Sequence, residues 1–267
     1  MNKALTIAGS DSGGGAGIQA DIKTFQELDV FGMSAITAVT AQNTLGVQAV
    51  YPMTSEAVAK QIESIGEDIG ADAVKTGMLF NAEIIESVSE KIKQYGWENV
   101  VVDPVMIAKG GASLLQAEAV HALIRHLLPL SIVITPNIPE AEALTDTPIR
   151  TREDKEEAAR KLLALGVKNV VIKGGHDEDP NQSSDLFFDG TEFVTLSTKR
   201  IPTNNTHGTG CTFSAAVTAG LANGASIYEA VQTAKSFIQA AIKGQVPIGH
   251  GHGPTNHWAY RKSSHKE

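Results

Sequence analysis

Short apolar runs alternate with longer amphipathic stretches along most of this chain. The runs at 100–102, 132–134 and 170–172 consist of valine and isoleucine with no polar residue between them, which is typical of strands buried on both faces. The stretches between such runs carry apolar residues at helical spacing. Buried strands joined through helices predict an α/β fold, with a mostly parallel central sheet and helices on both faces.

The predicted elements can be placed by their caps. Ser55 and Asn81 are the expected N-caps of two helices, and Gly96 lies just past the end of the second. The predicted strands are 5–8, 34–40, 73–77, 100–103, 132–135 and 170–173. The predicted helices include 17–28, 55–65, 81–95 and a helical stretch from 212 to about 243.

A different pattern precedes the last helical stretch. Asp189-Gly190 lies between two apolar runs, 186–188 and 192–196, and this two-residue connection predicts a β-hairpin. We place the hairpin as a small antiparallel addition at a sheet edge. Because the chain shows no repeat, low-complexity segment or linker, we expect one domain over residues 1–267.

Composition narrows the partners and the compartment. The 267-residue chain has a net charge of −8 and no basic run longer than two residues, so we expect no binding to nucleic acid or to a membrane. No apolar run approaches the ~20 residues of a membrane span, and no signal peptide is visible. The single cysteine, Cys211, cannot form an intrachain disulfide. These features predict a cytoplasmic protein.

Glycines and polar residues follow the predicted strand ends repeatedly. In open parallel sheets, ligands bind beyond the carboxyl ends of the strands. Six such segments therefore predict the rim of an active site: Gly9-Ser10-Asp11, Gln42-Asn43, Thr76-Gly77, Asp103-Pro104, Pro136-Asn137 and Lys173-Gly174-Gly175.

The segment from Thr206 to Cys211 carries the strongest chemical signal. Gly208 and Gly210 let backbone amides crowd around a small anion, and the alanine-rich run after them predicts a helix whose positive end favours that anion. An anion hole beside a possible base, Cys211, suits phosphoryl transfer. However, an ordinary thiol has a pKa of ~8.5 and is a poor base at neutral pH. The bland alternatives are a tight turn for the glycines and a small buried hydrophobe for Cys211.

Residues 9–17 form a glycine-rich loop between the first strand and the first helix. The loop resembles a dinucleotide fingerprint, but Thr40 and Gln42 stand where an acidic ribose ligand should end the second strand. We therefore favour a loop that lets a ligand approach closely. Asp21 follows about one turn into the helix, where a solvated acid near a positive helix end is the alternative to a role in the site.

Two segments admit a structural and a functional interpretation. Asn137 and Glu140 fit a helix capping box, which the local pattern alone favours, but they could also face Mg²⁺ and its waters. Asp103, at the end of a buried strand, is a second candidate for the metal. Lys173 ends another buried strand, where a lysine is costly unless it meets an anion, so we expect a nucleotide phosphate beside it.

Taken in order, these segments resemble the hydroxymethylpyrimidine/phosphomethylpyrimidine kinases of thiamine biosynthesis, within the ribokinase-like superfamily. The resemblance covers nearly the whole chain and rests on 8–21, 40–44, 75–78, 103–106, 135–141, 173–176 and 206–211. It implies one ribokinase-like domain and a kinase that uses ATP and Mg²⁺. Its small-molecule acceptors would be 4-amino-5-hydroxymethyl-2-methylpyrimidine and then the monophosphate. Because members are usually dimers, it also implies a homodimer.

The resemblance assigns roles to individual residues. The implied pyrimidine pocket contains Gly9, Asp21, Gln42 and Met78. The residues implied to face the nucleotide are Asn137, Glu140, Lys173, Gly174, Thr206 and Gly208. Glu140 and Asp103 would reach Mg²⁺ through bound water. The implied catalytic group comprises Lys173, Gly208, Gly210 and Cys211.

Cys211 separates this chain from the sugar kinases of the same fold, which carry an aspartate there as the base that takes the hydroxyl proton. In the second reaction, the acceptor is a phosphate with a second pKa of ~6, which is largely dianionic near neutral pH and needs no base. We therefore hypothesise that loss of Cys211 slows the two steps unequally.

Rival functions remain at this point. Pyridoxal/pyridoxine/pyridoxamine kinases share the scaffold, and one protein could do both jobs. Gln42 favours the pyrimidine because its amide offers an acceptor and two donors to an exocyclic amine and the adjacent ring nitrogen. A non-catalytic small-molecule-binding protein on the same fold is a more distant alternative, against which Lys173 and Glu140 argue. A nicotinamide dehydrogenase is more distant still.

Overall fold

The fold is built around one nine-stranded sheet. The computed structural model describes residues 1–106, 117–176 and 179–264. Within these ranges the strand order is β3-β2-β1-β4-β5-β6-β7-β8-β9. The strands are β1 (Lys3–Asp11), β2 (Phe31–Asn43), β3 (Gly46–Pro52), β4 (Ala73–Thr76), β5 (Val100–Val102), β6 (Val133–Ile134), β7 (Val170–Ile172), β8 (Gln182–Phe188) and β9 (Phe193–Lys199).

The centre of the sheet is parallel and both edges are antiparallel. β2, β1, β4, β5, β6 and β7 pair in parallel, as their uninterrupted apolar runs predict. The predicted hairpin, β8 and β9, is confirmed as an antiparallel addition beside β7. Its connection was expected to have two residues, but Phe188 pairs with Phe193, so it has four. The Asp189 carboxylate accepts from the amides of Thr191 and Glu192 and holds this turn.

The opposite edge of the sheet contains a strand, β3, that was not predicted from the sequence. β2 was expected to end at Thr40, but it continues to Asn43 and turns back through residues 44 and 45 into β3. Gln42 and Asn43 therefore belong to a hairpin rather than to a loop after a strand. The segment lacks the Asn-Gly or Asp-Gly pair that marks tight hairpins, which explains the omission.

Helices cover both faces of the sheet. One layer contains α2 (Ser55–Asp68), α3 (Ala82–Tyr95), α4 (Ala117–Ala122), α5 (Ile138–Thr145) and α6 (Arg152–Ala164); the other contains α1 (Gly17–Glu27), α7 (Thr209–Ala222), α8 (Ile227–Lys243) and α9 (Ala259–Ser264). Strand alternation separates the two cores, since Leu5 and Ile7 face the first layer and Ala4 faces the second. The described residues thus form a single α/β domain, and its extension over 1–267 stays a prediction.

Helix ends confirm most expected caps and correct two expectations. Asn81 caps α3, and Gly96 ends it with a φ of 64°. Thr54, rather than Ser55, caps α2 by accepting from the Ala57 amide. The helical stretch expected from 212 to 243 is two helices, because the chain turns through Gly224 at a φ of 82°.

Candidate active site

A cavity of about 580 Å³ opens beyond the carboxyl ends of the parallel strands. Each of the six predicted rim segments contributes lining residues: Gly9, Ser10, Asp11, Gln42, Gly77, Asp103, Asn137, Lys173 and Gly175. Parallel strands present all their carboxyl ends at one edge, so segments far apart in the chain meet there.

In the described ranges, no helix combines the length and apolar character needed to span a bilayer.

One end of the cavity contains three of the four residues expected to bind the pyrimidine. Gly9, Gln42 and Met78 line it. A side chain at position 9 would come within 2.5 Å of the Met78 methyl group, so Gly9 lets the end of the Met78 side chain pack against the backbone. The fourth residue, Asp21, does not line the cavity.

Asp21 lies one layer behind the wall, which corrects both earlier interpretations of it. Its carboxylate is fully buried rather than solvated, and it accepts from Lys75 Nζ at 2.9 Å and from the Thr6 hydroxyl at 2.6 Å. Burial raises the pKa of Asp21, with Lys75 and Thr6 opposing. Burial also opposes the charge on Lys75, but Asp21, Asp103 and Cys211 together outweigh it, and the pKa of Lys75 is raised. Asp21 therefore reaches the cavity only through Lys75, which does line it.

Asp11 holds the glycine-rich loop in place through hydrogen bonds. Its carboxylate accepts from the amides of Gly13, Gly15 and Ala16 at 2.8–3.0 Å, and His207 Nε2 lies 2.9 Å from it. Burial works against its charge, yet the His207 contact and these amides hold the pKa of Asp11 below its ordinary value. His207 Nε2 also lies 3.2 Å from the Gln42 amide nitrogen. This set of contacts joins the glycine loop to the segment expected to form the anion hole.

That segment requires glycine at its centre. Gly208 has a φ of 78° and is the N-cap of α7. A side chain there would overlap the Gly15 carbonyl oxygen, so at this point the two loops meet backbone against backbone. Gly208, Gly210, Cys211 and Thr206 all line the cavity. First-turn amides have no acceptor within their own helix, so Gly210 and Cys211 present donors where an anion could lie.

Cys211 lies in the first turn of α7, beside Lys75. Burial raises the pKa of its thiol to about 11, because Asp21 and Asp103 add to the effect while Lys75 and the Gly17 amide only partly oppose it. Burial thus outweighs the nearby ammonium and the helix-end amide, and the pKa stays above the ordinary value of a thiol. Cys211 is a neutral thiol at physiological pH.

Asp103 and Lys173 form the second ion pair of the cavity. Lys173 Nζ donates to Asp103 Oδ1 at 3.0 Å, and the Ser214 hydroxyl donates to Oδ2 at 3.0 Å. Burial opposes the charge on Asp103, but Lys173 and Lys75 hold the pKa of Asp103 below its ordinary value. A side chain at Gly210 would lie 3.2 Å from Lys173 Nζ, so the ammonium adjoins the first turn of α7.

Asn137 and Glu140 form the capping box that the local pattern favoured. The Glu140 carboxylate accepts from the Asn137 amide, and the Asn137 side chain accepts from the Glu140 amide. Both residues also line the cavity, so the structural role does not remove them from the site. Burial raises the pKa of Glu140 to about 7, with Lys173 opposing and Asp103 adding to the shift.

The far end of the cavity lies between β9 and α8. The apolar residues that line this end are Ile201, Phe213, Ile238 and Ile242, and a buried lysine, Lys235, lies beside them. Gly174, expected at the nucleotide, lies behind the wall, and its neighbour Gly175 lines the cavity instead.

Several polar residues of the cavity received no individual role from the sequence, among them Asp11, Lys75, His207 and Lys235. Lys75 could have been found, because it stands in a predicted buried strand and the reasoning applied to Lys173 holds for it equally. Lys235 carries no such signal, since it occupies an ordinary position in an amphipathic helix.

Comparison with known proteins yields one consistent family. The model of the family described as Phosphomethylpyrimidine kinase matches residues 11–256. The hydroxymethylpyrimidine/phosphomethylpyrimidine kinase of Bacillus subtilis (strain 168) is 58% identical over 262 residues, covering 98% of this chain and 97% of that protein. The Haemophilus influenzae protein of the same name is 55% identical, covering 98% of both chains. The solved structure of an ADP complex of Bacillus subtilis pyridoxal kinase superposes with a TM-score of 0.91 at 48% identity, covering 98% of this chain and 99% of that one.

Proposed function

The chain belongs to the phosphomethylpyrimidine kinase family and is an ATP-dependent kinase; we propose that it phosphorylates 4-amino-5-hydroxymethyl-2-methylpyrimidine and then the resulting monophosphate, in thiamine biosynthesis. One observation carries the proposal. A single cavity joins Gln42, an amide suited to an aminopyrimidine, to the Lys173 ammonium and the first-turn amides of α7. Acceptor and phosphoryl donor can therefore meet within it.

The acceptor occupies the end beside Gly9, Gln42 and Met78. The Gln42 amide pairs with the exocyclic amine and the adjacent ring nitrogen, because it supplies both a donor and an acceptor. Met78 packs against the ring. This places the hydroxymethyl group toward Lys75 and Cys211, at the start of α7.

The nucleotide occupies the other end. Ile201, Ile238 and Ile242 hold the base by apolar contact, and the phosphates extend toward Lys173 and Thr206. The γ-phosphoryl group then lies against the amides of Gly210 and Cys211. Ammonium and amide donors at this point stabilise the charge that develops on the transferring group.

Transfer is an in-line displacement at the γ-phosphorus. The acceptor oxygen forms the new P–O bond while the bond to the leaving ADP oxygen breaks. In the first reaction, the neutral Cys211 thiol offers no strong base, so the hydroxyl proton passes to an oxygen of the transferring phosphoryl group, and positioning and charge stabilisation lower the barrier. In the second, the acceptor phosphate is already ionised, since its second pKa is ~6. A thiol that is a base in neither step supplies no reason for unequal effects, so this raised pKa does not support the hypothesis that loss of Cys211 slows the two steps unequally.

Mg²⁺ fits the carboxylates of Glu140 and Asp103. Among the described residues, no three His, Cys, Asp or Glu side chains gather as a preformed metal site. Mg²⁺ commonly uses one or two carboxylates with waters and substrate phosphates, so two suffice here. Burial disfavours the charge on Glu140, and a cation would relieve that cost. When bound, Mg²⁺ supplies charge neutralisation at the phosphates.

We also propose that the protein acts as a homodimer in the cytoplasm. The dimer rests on resemblance to the family, and the compartment on the single cysteine and the acidic surface. Sedimentation velocity of the purified chain tests the dimer directly. A monomer at micromolar concentration would exclude it.

Pyridoxal kinase activity is the second candidate, supported by the 48% identity and the TM-score of 0.91 with the Bacillus subtilis enzyme. The deciding experiment measures ADP release with the aminopyrimidine and with pyridoxal, for the unmodified chain and for Gln42→Leu. Loss of a buried hydrogen-bonding partner costs about 1–3 kcal/mol, so we expect pyrimidine use to fall about 5–150-fold while any pyridoxal use falls little.

Gln48→Leu is the matched control, because Gln48 lies on the same β2–β3 hairpin but is exposed. Equal loss with both acceptors would show that Gln42 does not select the pyrimidine. Absence of ADP release with either acceptor would overturn the kinase proposal for these substrates.

A further inference from the structure

A buried ion pair that the proposed transfer does not use closes the nucleotide end of the cavity. Lys235 Nζ on α8 donates to Asp185 Oδ2 on β8 at 2.8 Å and to the Ser183 carbonyl at 3.0 Å. Both side chains are less than a tenth exposed. Burying two charges is expensive even when they are paired, so stability alone does not account for this pair.

The second oxygen of Asp185 reaches the segment that follows β7. Asp185 Oδ1 accepts from the Gly174 amide at 2.7 Å. On the other side, the Lys173 amide donates to the Pro136 carbonyl at 2.8 Å. The backbone is therefore held on both sides of the Lys173 α-carbon, which limits where its ammonium can lie.

The carbonyls of the same segment are held from the hairpin. Arg200 donates from one guanidinium nitrogen to the Gly175 carbonyl at 3.0 Å and from another to the Gly174 carbonyl at 3.4 Å. The antiparallel addition and Arg200 just after it thus hold the amide and carbonyl of Gly174 and the carbonyl of Gly175. Lys235 balances the charge that Asp185 brings to this contact.

We propose that Asp185 is a positioning residue for the phosphoryl donor: by holding the Gly174 amide, it places Lys173 against the nucleotide phosphates. The inference rests on the proposed function and extends it to the β8–β9 hairpin. Asp185 acts at the nucleotide end, remote from Gln42, so it should affect use of ATP and leave use of the pyrimidine nearly unchanged.

The test compares Asp185→Ala with Asp185→Asn, which keeps an oxygen to accept from Gly174. We expect the KM for ATP to rise about 10–100-fold in Asp185→Ala and less than about fivefold in Asp185→Asn, with the KM for the pyrimidine within about twofold in both. Both variants leave Lys235 without its charged partner, so both should lower Tm. If the role of Asp185 were purely structural, the rise in the KM for ATP would follow the loss of Tm and would be equal in the two variants.

Asp189→Ala is the matched control, because Asp189 also accepts backbone amides on this hairpin, but at its distant turn. We expect it to leave both KM values unchanged. Calorimetric titration with ADP keeps the test independent of catalysis and of poorly folding variants, since it reports affinity of the folded fraction.

The possible failures are distinct. A wild-type chain that binds ADP but phosphorylates neither acceptor would sink the proposed function alone. Equal ADP affinity in wild type and Asp185→Ala, or equal loss in the Ala and Asn variants, would overturn the role of Asp185.

Discussion

Two lysine–aspartate pairs flank the start of α7, and they differ in their access to solvent. Lys75 and Asp21 are both 0% exposed, whereas Lys173 is 14% exposed and its partner Asp103 only 2%. Each pair joins a residue at the end of a parallel strand to a carboxylate far away in the sequence. The chemical groups are the same, and only their surroundings distinguish the two pairs.

The difference in solvent access indicates that the two ion pairs have different roles, one in stability and one in binding phosphate. A closed pair cannot exchange its partner for a ligand without exposing a buried charge, so it holds the wall of the cavity in place. An ammonium open on one side can keep its carboxylate and still meet a phosphate. We therefore expect damage to the first pair to appear chiefly in folding, and damage to the second chiefly in catalysis.

The largest effect should come from breaking the closed pair. Asp21→Ala leaves Lys75 buried and uncompensated, and we expect the free energy of unfolding to fall by about 3–5 kcal/mol, measured by urea denaturation. The control is Glu63→Ala, which removes a carboxylate paired with Lys60 and Lys91 at the surface. It should cost far less. Similar losses in the two variants would show that the closed pair has no special stability.

Opening the second pair should act on the rate. Lys173→Met removes an ammonium beside the transferring group, and we expect kcat/KM for ATP to fall about 10²–10³-fold. Asp103 retains the Ser214 donor, so the loss of unfolding free energy should be smaller than in Asp21→Ala. Lys168→Met, at the exposed opposite end of β7, should keep its activity in the ADP-release assay. Comparable activity in the two lysine variants would contradict the assignment.

The contact between the two ends of the site can be broken at Gly208. Gly208→Ala forces a side chain into the Gly15 carbonyl, and we expect a loss of about 10² in kcat through displaced amides. Gly224→Ala is matched, because it has nearly the same φ at the other end of α7 but open space around it. Both variants should lose about 1–2 kcal/mol of stability from backbone strain, and Gly208→Ala should lose more because of the overlap with Gly15. Equal rates in the two would mean that strain, rather than the anion hole, limits turnover.

The smallest effect sharpens the comparison through pH. Mg²⁺ must displace the proton from Glu140, whose pKa is about 7, so we expect the apparent Mg²⁺ affinity to weaken about tenfold from pH 8 to pH 6. Glu140→Gln should bind Mg²⁺ less tightly but without this added pH dependence. Titration in identical buffers makes the ionisation of ATP itself common to both proteins. Parallel pH profiles would remove Glu140 from the metal site.

The same raised pKa has a consequence for stability. Because the pKa of Glu140 rises from 4.5 to about 7 on folding, its contribution is fully present below pH 4.5 and is lost as the pH rises through 7. Unfolding free energies measured at pH 6 and pH 8 should therefore differ less in Glu140→Gln than in the unmodified chain.

Much of the fold could be predicted because its signals are local. Apolar runs without alternation marked the parallel strands, and Asn81 and Gly96 marked the ends of α3. The hairpin of β2 and β3 was missed because its turn carries no distinctive residue pair. The division into α7 and α8 was missed because both segments are rich in alanine and the break spans only a few residues.

The cavity was predicted in part for the same reason. Six strand ends with glycine or polar residues must converge if the sheet is parallel, and they do so in this structure. The position of Asp21 could not be predicted, because helical spacing says that it lies near a loop but not which layer it faces. Lys235 and Asp185 could not be paired either, since 50 residues separate them.

The sequence by itself determined the α/β class, the parallel orientation of most strands and the glycines that bring amides to one point, because these depend on periodicity and on backbone freedom. The tertiary structure alone decided which ion pair is closed to solvent and which is partly open to it. Lys75 and Asp21 are 54 residues apart, and Lys173 and Asp103 are 70 apart. Burial and charged neighbours set the pKa of Cys211 near 11 and that of Glu140 near 7, and both depend on segments that meet only when the chain has folded.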